Sequence, residues 1–483
     1  MSIITIDKKK LKIGKISIIL LTIYILLTVV FYFLAGDQLK YRSSRYNVDM
    51  PAAEAAAIEL TEESIVEQHF ATSIDRIREI SVQWGTYYRE NSGTITVDLI
   101  DENDNTILAS QTYNASEIED GGVTTLIIDP MLEGYVAKEL VLRLQSDSKP
   151  GKAAAPMMNN SESGDGSILL VNGIKTSGRL CMSVTGEEYI WTGLHYWTMV
   201  LLVGLALSIM LIISYVRWHN GRNSLVAGLV SAVIRYKFLI KQLVARDFKL
   251  KYKRSVLGVF WSFLNPLLTM AVQYVVFSTL FRFDIEYYPV YLLAGIVMFN
   301  YFSESCGLTL GSIVGNAPLI TKVYVPKYIY PLTRVMSSLI NLVISMIPLL
   351  LVALIAGIRP TKAYLLAVFP LICIAVFCLG LGMLLATSMV FFRDTQFLWG
   401  VLSMIWMYAT PIFYPASILP ENVSWILKIN PLYYFVDFLR TCIISGISPE
   451  PRMYMACILW AIGMLAVGSL IFKKNQDKFV LWL

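Results

Sequence analysis

Cysteine, histidine and charge are all scarce in this chain, and each scarcity excludes something. There are six cysteines in 483 residues. Cys306, Cys373, Cys378 and Cys457 fall inside apolar runs, where a thiol reads as a small core residue rather than half of a disulfide framework. The three histidines, His69, His195 and His219, are too far apart for metal-ligand spacing, so no metal site is expected. The phosphate-binding pattern G-x-x-x-x-G-K-[ST] does not occur. Its nearest fragment, Gly173-Ile174-Lys175-Thr176, lacks the glycine before the lysine, which excludes an ATP site of that kind in this chain. Nor does any hydrolytic triad spacing appear. Charged residues make up only 16%, against roughly a quarter in soluble domains.

Apolar residues are plentiful, at 56%, and several runs reach the ~20 residues that cross a bilayer. The reading is a polytopic α-helical membrane protein. Charge is divided unevenly: Tyr41 to Ile190 holds 24 of the 35 acidic residues and 11 of the 40 basic ones. Lysines 8, 9, 10, 12 and 15 precede the first apolar run, Ile16–Ala35. No small-residue cleavage site follows, so the run reads as an uncleaved anchor. His195–Val216 crosses back and ends at Arg217, His219 and Arg222. By the bias of Lys and Arg toward the cytoplasm, both termini are expected inside and residues 37–192 outside. Six further runs are expected to span: Val256–Phe281, Val290–Leu310, Tyr330–Gly357, Ala363–Phe391, Phe397–Tyr414 and Met453–Phe472. That makes eight spans. The connection from Pro415 to Pro451 is apolar but broken at Pro431. It reads as two short re-entrant helices, Ser424–Ile429 and Leu432–Ser445, sheltered by protein.

The divisions expected are residues 1–36 (N-terminus and first span), 37–192 (outer domain), 193–221 (second span), 222–255 (interfacial helix) and 256–483 (six-span core, with re-entrant helices at 416–450). In the interfacial stretch, Val230, Val233, Ile234, Val244 and Phe248 share one helical face. Arg235, Arg246 and Lys253 fall opposite. In the outer domain, Ile95, Val97 and Leu99 alternate, as do Leu140, Leu142 and Leu144. Short strands separated by Asn/Asp/Gly turns predict an all-β sandwich. Ser148–Ser167, rich in Pro, Gly, Ala, Asn and Ser, reads as a mobile loop. Trp84, Tyr87 and Tyr88 are candidates for an aromatic platform under a sugar ring, with burial in the core as the competing reading.

The membrane half carries four ordered motifs: RDFKLKYKRSVLGVFWSFLNP (Arg246–Pro266), LITKVYVPKYIYPL (Leu319–Leu332), FFRDTQFL (Phe391–Leu398), and TPIFYPASILP with INPLYYFVDFLR (Thr410–Arg440). From about Leu225 to the C-terminus, the chain resembles the permease subunits of ABC transporters that export polysaccharides, the O-antigen, capsule and teichoic-acid group. The anchor–domain–anchor portion before Gly221 departs from that family and looks added.

The resemblance implies a permease dimer forming a channel, driven by two separate ATPase subunits that bind ATP and Mg. This chain would hold no cofactor of its own. It would move a polymer on a lipid carrier, with membrane lipid around it and no nucleic acid partner. Val230–Lys253 would match the interface helix. Arg246, Asp247, Leu319, Ile320, Lys322, Val325, Pro326, Arg393 and Asp394 would match the ATPase-coupling surface. Trp425, Asn430, Pro431, Tyr433, Tyr434 and Arg440 would match the outer gate helices.

A glycan channel should offer aromatic faces and hydrogen-bonding groups. The candidates are Tyr301, Phe302, Trp406, Tyr408, Phe413 and Tyr414, with packing as the alternative for each. Glu304 is the one carboxylate well inside a span, beside Asn300, Ser303 and Ser305. A charge there costs on the order of 3 kcal/mol at mid-span, so it should face a wet cavity or a protein interface. Two other functions compete. One is a membrane glycosyltransferase using a polyprenyl-phosphate sugar, with Asp37 as its acid. The other is a sugar receptor using the outer domain alone. An ATPase that co-purifies with the chain separates the exporter from both.

Overall fold

The computed structural model describes residues 13–46, 50–160, 167–220, 225–280, 285–322, 325–418, 420, 422 and 425–482. Two compact units emerge: Lys40–Tyr196, and Met1–Leu39 together with Trp197–Leu483.

The first unit is a β-sandwich, as the alternation predicts. One sheet runs in the order β1 (Tyr41–Tyr46), β13 (Met182–Tyr189), β4 (Arg76–Gly85), β9 (Ala155–Asn159), β12 (Arg179–Leu180). In addition, β7 (Val123–Glu133) pairs with β4, and β2 (Ala55–Ala56) pairs with β9. The other sheet runs β11 (Ile174–Thr176), β10 (Ile168–Val171), β3 (Ile65–Ala71), β8 (Glu139–Ser146), β5 (Thr94–Asp101), β6 (Ile107–Asn114). Its register sets Val97 opposite Leu144 and Leu99 opposite Leu142. All four are buried, because a period of two sends every second side chain to the same face.

Gln68 links the two sheets. Its amide donates to the Ile168 carbonyl at 3.2 Å and accepts from the Leu180 N–H at 2.9 Å, so a fully enclosed polar group is satisfied at both ends.

The stretch read as a mobile loop is partly a strand. Ala155–Asn159 pairs with β2, β4 and β12, and Ala153, Ala154 and Ala155 are enclosed. Small alanines fit where the sandwich closes, so a loop-like composition conceals a strand. Residues 161–166 lie outside the described residues.

In the second unit the helices are α1 (Ile13–Ala35), α2 (Trp191–His219, whose first turn belongs to the β unit), α3 (Leu225–Lys251), α4 (Phe260–Leu280), α5 (Tyr288–Leu310), α6 (Ala317–Lys322) and α7 (Ile329–Ile355). They continue with α8 (Val368–Phe391), α9 (Thr395–Ala409), α10 (Trp425–Ile429), α11 (Pro431–Arg440), α12 (Pro451–Asn475) and α13 (Phe479–Trp482). The helices α1 and α2 run antiparallel: the Tyr24 hydroxyl donates to the Val200 carbonyl at 2.7 Å, while Gly14 lies against Tyr215.

Among the described residues, six stretches are long and apolar enough to cross a membrane: Gly14–Leu39, Trp191–His219, Phe260–Ser278, Ile329–Ile355, Lys362–Phe391 and Pro451–Trp482. The other two expected spans form as helices of a different kind. α5 has 23 residues, but Asn300, Ser303, Glu304 and Ser305 lower its hydropathy, and it is enclosed by α4, α7, α8 and α11. α9 has 15 residues, about 22 Å at 1.5 Å per residue, short of a ~30 Å hydrocarbon layer. The span expected from Val256 begins instead at Phe260. Arg254 and Gly258 adopt left-handed backbone (φ +67° and +53°) and turn the chain between α3 and α4. Residues 281 and 424, at the limits of expected elements, lie outside the described residues, as do Gly221, residues 1–12 and the side chains of Val230 and Val233.

Close helix approach accounts for the tightest packing. Gly468 of α12 meets the backbone of Gly380 of α8, and a Cβ on either would overlap the other helix. Small residues are what allow backbones to touch in membrane bundles. We expect Gly468→Leu to prevent assembly of α12 on α8, seen as loss of a monodisperse species in detergent, while Gly463→Leu, which has open space, is tolerated.

Acid should loosen the β-sandwich. Amide donation from Thr94, then its hydroxyl, holds the Asp147 carboxyl below its ordinary range, and Thr86 does the same for Asp120. A depressed folded pKa gives stability above the unfolded value of about 3.9, which is lost as pH falls through the lower folded value. Amide protection across residues 50–160, taken relative to intrinsic exchange at each pH, should therefore be level from neutral pH to about 5 and fall below about 4. Asp147→Asn should flatten that response.

Candidate functional site

The turn between α3 and α4 assembles a polar cleft of about 540 Å³. Lys251, at the end of α3, donates to Glu304 Oε2 of α5 at 2.8 Å. Asn341 of α7 donates to Glu304 Oε1 at 2.7 Å. The Tyr252 hydroxyl donates to Asn341 Oδ1 at 2.9 Å and is hydrogen-bonded to Ser262 of α4. Four helices are therefore tied by one chain of polar contacts. Asn265, Asn300, Ser303, Ser338 and Ser345 complete the polar lining, with Trp261 beside them.

Glu304 thus has what an acid within an apolar bundle requires: a cation, an amide and access to water, its side chain being 27% exposed. The ion pair cancels its own charge, and the remaining polar groups are amides and hydroxyls, set among the carbon walls of Trp261, Pro266, Val297, Phe299 and Leu342. Such a surface can donate to and accept from a neutral polyhydroxylated chain. Among the described residues no group of three metal-ligating side chains exists.

The sequence singles out Glu304 and Tyr301, and both line this cleft, although Tyr301 is nearly enclosed. Phe302 does not face a channel. It is wholly buried, with ring contacts to Phe377, Trp399 and Trp406. Phe413 is also buried, stacked on Phe277 at 5.2 Å. Trp406 is half-buried and its indole N–H donates to Asn430 at 2.9 Å. Tyr414 donates to the Tyr408 carbonyl at 2.8 Å, while the Tyr408 ring is exposed. Lys251, Ser262, Asn265, Asn341 and Ser345 are absent from the sequence-based candidates. Their signal was available: Ser262/Asn265 and Ser338/Asn341/Ser345 recur at three- and four-residue spacing, one polar stripe per apolar helix.

The residues matched to gate helices in the sequence form a fixed structure. Asn430 caps α11 by accepting from the Leu432 N–H at 3.0 Å, and donates to the Ala409 carbonyl and the Thr410 hydroxyl. Pro431 occupies the first turn, where its missing N–H costs nothing. Arg440 is 5% exposed. Its guanidinium donates to the carbonyls of Tyr291, Pro411 and Ile412 at 2.8–3.2 Å and lies 3.4 Å from the Tyr291 ring centroid. Tyr288 and Tyr291 donate to the carbonyls of Phe413 and Tyr414. The non-helical stretch after α9 is thereby stitched to α5. Tyr434 donates to the Lys428 carbonyl, joining α11 to α10. Tyr433 is half-buried and Trp425 exposed.

The coupling candidates divide. Asp247 is buried and pairs with Arg246 at 2.9 Å and with Arg334 of α7 at 3.2 Å. Arg246 also reaches Asn316. Asp247 is therefore an internal anchor for α3 rather than an exposed docking contact. Ile320 is likewise buried, in a cluster with Tyr330, Phe472 and Phe479. Lys322, Arg393 and Asp394 are exposed, and Leu319, Val325 and Pro326 partly so. Residues 323 and 324 lie outside the described residues.

In the β-sandwich, Trp84 is fully enclosed and donates to the Thr124 hydroxyl at 2.7 Å. It is core, so the three-aromatic platform does not form. Tyr87 and Tyr88 share a left-handed turn, and Tyr88 is 92% exposed. A separate cleft of about 560 Å³ lies between β6 and β7, lined by Thr112, Tyr113, Asn114, Glu117, Glu119 and Thr125 among others.

A family model described as ABC-2 type transporter matches residues 238–444. The chain is 31% identical over 255 residues to the O-antigen export system permease protein RfbA of Myxococcus xanthus, covering 52% of this chain and 97% of that protein. It is 30% identical over 245 residues to RfbA of Klebsiella pneumoniae, with coverages of 50% and 93%. The polysialic acid transport protein KpsM of Escherichia coli is 21% identical over 245 residues, covering 50% of this chain and 95% of that protein.

Arg440→Met should cost at least about 3 kcal/mol, because three carbonyls lose a charged donor in a buried site. Arg440→Lys should recover only part, since an ammonium cannot fork as a guanidinium does. Thermal unfolding in detergent, with the protein in its full-length form, measures both.

Proposed function

The chain belongs to the ABC-2 type transporter permeases of polysaccharide export, and from that footing we propose how it carries out its part. It is the transmembrane subunit of an ATP-driven exporter, and its relatives speak against a glycosyltransferase. In our reading two copies form the channel, and two ATPase subunits holding ATP and Mg bind beneath it. The polymer arrives on a lipid carrier. The six spans expected after α3 enclose the pathway, with α5 inside the bundle and α9 completed by the stitched segment that follows it, while α1 and α2 anchor the sandwich. Both termini are cytoplasmic and the sandwich extracytoplasmic.

The observation that carries the reading is the cleft around Glu304. A polymer of neutral sugars needs hydrogen-bonding groups without a fixed net charge, and Lys251, Glu304 and Asn341 supply them within an apolar bundle. Lys322, Arg393 and Asp394, exposed at helix ends, are the surface offered to the ATPase. The sandwich guides the emerging glycan, and the cleft between β6 and β7 is its contact surface.

The test is export in cells that lack their own permease, with this chain co-expressed with its ATPase. Ser345→Trp, which fills the cleft, should abolish surface polymer while the ATPase still co-purifies. Glu304→Ala should reduce export at least about tenfold, a barrier increase near 1.4 kcal/mol. Normal export by both variants would remove the cleft from the pathway. Deleting 40–190 with the spans rejoined tests the sandwich: unchanged export and no glycan bound by the full-length chain's sandwich would end its guiding role.

A further inference from the structure

A second cavity, of about 670 Å³, opens between α3 and α7. Its wall is almost entirely carbon, from Ile240, Val244 and Phe248 on α3 and Leu332, Met336 and Ile340 on α7. Met336 and Ile340 remain exposed at its mouth. Lys237, Lys241 and Lys249 stand on its rim, and all three are exposed. Among the described residues no acidic side chain lines it. The nearest acid in sequence, Asp247, is already taken by Arg246 and Arg334.

This combination is unlike the cleft around Glu304. An apolar slot of this size with three unneutralised ammonium groups at its edge is complementary to one kind of molecule, an alkyl chain ending in an anion. Lysine stems can lie along the apolar wall while their heads reach a phosphate at the membrane surface. Each such lysine draws the groove toward an anionic lipid surface. α3 also carries Arg235, Arg246 and its lysines beside an apolar face, the pattern of a segment that rests in the interface. The Asp247 anchor holds α3 against α7, so the slot is built into the fold.

We propose that this groove holds one acyl chain of an anionic membrane phospholipid, with its headgroup phosphate held by Lys237, Lys241 and Lys249. The bound lipid would fill the space between α3 and α7 and fix the height of α3 in the membrane. The site is independent of the polymer pathway and does not rest on it.

The experiment uses the full-length chain in nanodiscs of phosphatidylcholine mixed with phosphatidylglycerol, followed by gentle extraction and native mass spectrometry of retained lipid. Phosphatidylglycerol should be retained over phosphatidylcholine by on the order of tenfold. The triple change Lys237→Gln, Lys241→Gln, Lys249→Gln should bring the two lipids level, and the corresponding three changes to Arg should restore the preference. Met336→Trp, which narrows the slot, should lower retention of both lipids. Equal retention of the two lipids by the unaltered chain would overturn the proposal, as would an undiminished preference in the Gln variant. Displacement of phosphatidylglycerol by added polyprenyl phosphate at equal concentration would overturn the phospholipid assignment in favour of an isoprenoid carrier. Loss of all lipid on formation of a dimer would instead assign the groove to a second copy of the chain.

Discussion

Arg440 is the contact on which the end of the helical unit around α11 depends. Wherever backbone leaves a helix inside an apolar bundle, its carbonyls lose their partners, and each orphan costs free energy that no nearby water can relieve. The stretch after α9 does this over several residues, Thr410 to Pro415. A guanidinium has five donors in a rigid plane, and Arg440 spends them on carbonyls of that stretch and of α5. The charge is tolerated because its donors are satisfied and the Tyr291 ring lies beneath it. Gly295 follows from the same requirement: a Cβ there would press on the guanidinium and on Ile412.

The polar cleft obeys that rule in another form. Glu304 would be expensive alone, so Lys251 and Asn341 surround it. Each of these comes from a different helix, which makes the arrangement sensitive to helix positions. A shift of α3 relative to α5 would separate Lys251 from Glu304 and change both the charge and the width of the cleft. Asp247, paired with Arg334, limits such a shift near the end of the same helix. The two ion pairs place the electrostatics of the cleft under the control of α3, the amphipathic helix.

Much of this was legible in the residues. The strands at Thr94–Asp101 and Glu139–Ser146 follow from alternation alone. The two short helices around Pro431 follow from an apolar connection interrupted by proline. Glu304 drew attention as an acid in an apolar run, and it lies in the cleft. The aromatics were less legible. Phe302, Phe413 and Trp84 were candidates for exposed faces and are packing, because an aromatic ring fits a core or a glycan equally well by composition. Ala153–Ala155 looked like a loop because small residues carry no periodic signal, yet they close the sandwich.

What the sequence determined by itself is what depends on neighbours within a few residues: the apolar runs that become helices, strand alternation, the break at Pro431, and the four motifs that mark the permease. What the tertiary structure decided is what depends on partners far apart in the chain. Lys251 meets Glu304 across 53 residues and Arg440 meets Tyr291 across 149. Periodicity says which face of a helix is polar or apolar, but not what stands opposite it. The cleft, the clamp and the lysine-rimmed groove exist only because packing brings separate helices to the same place.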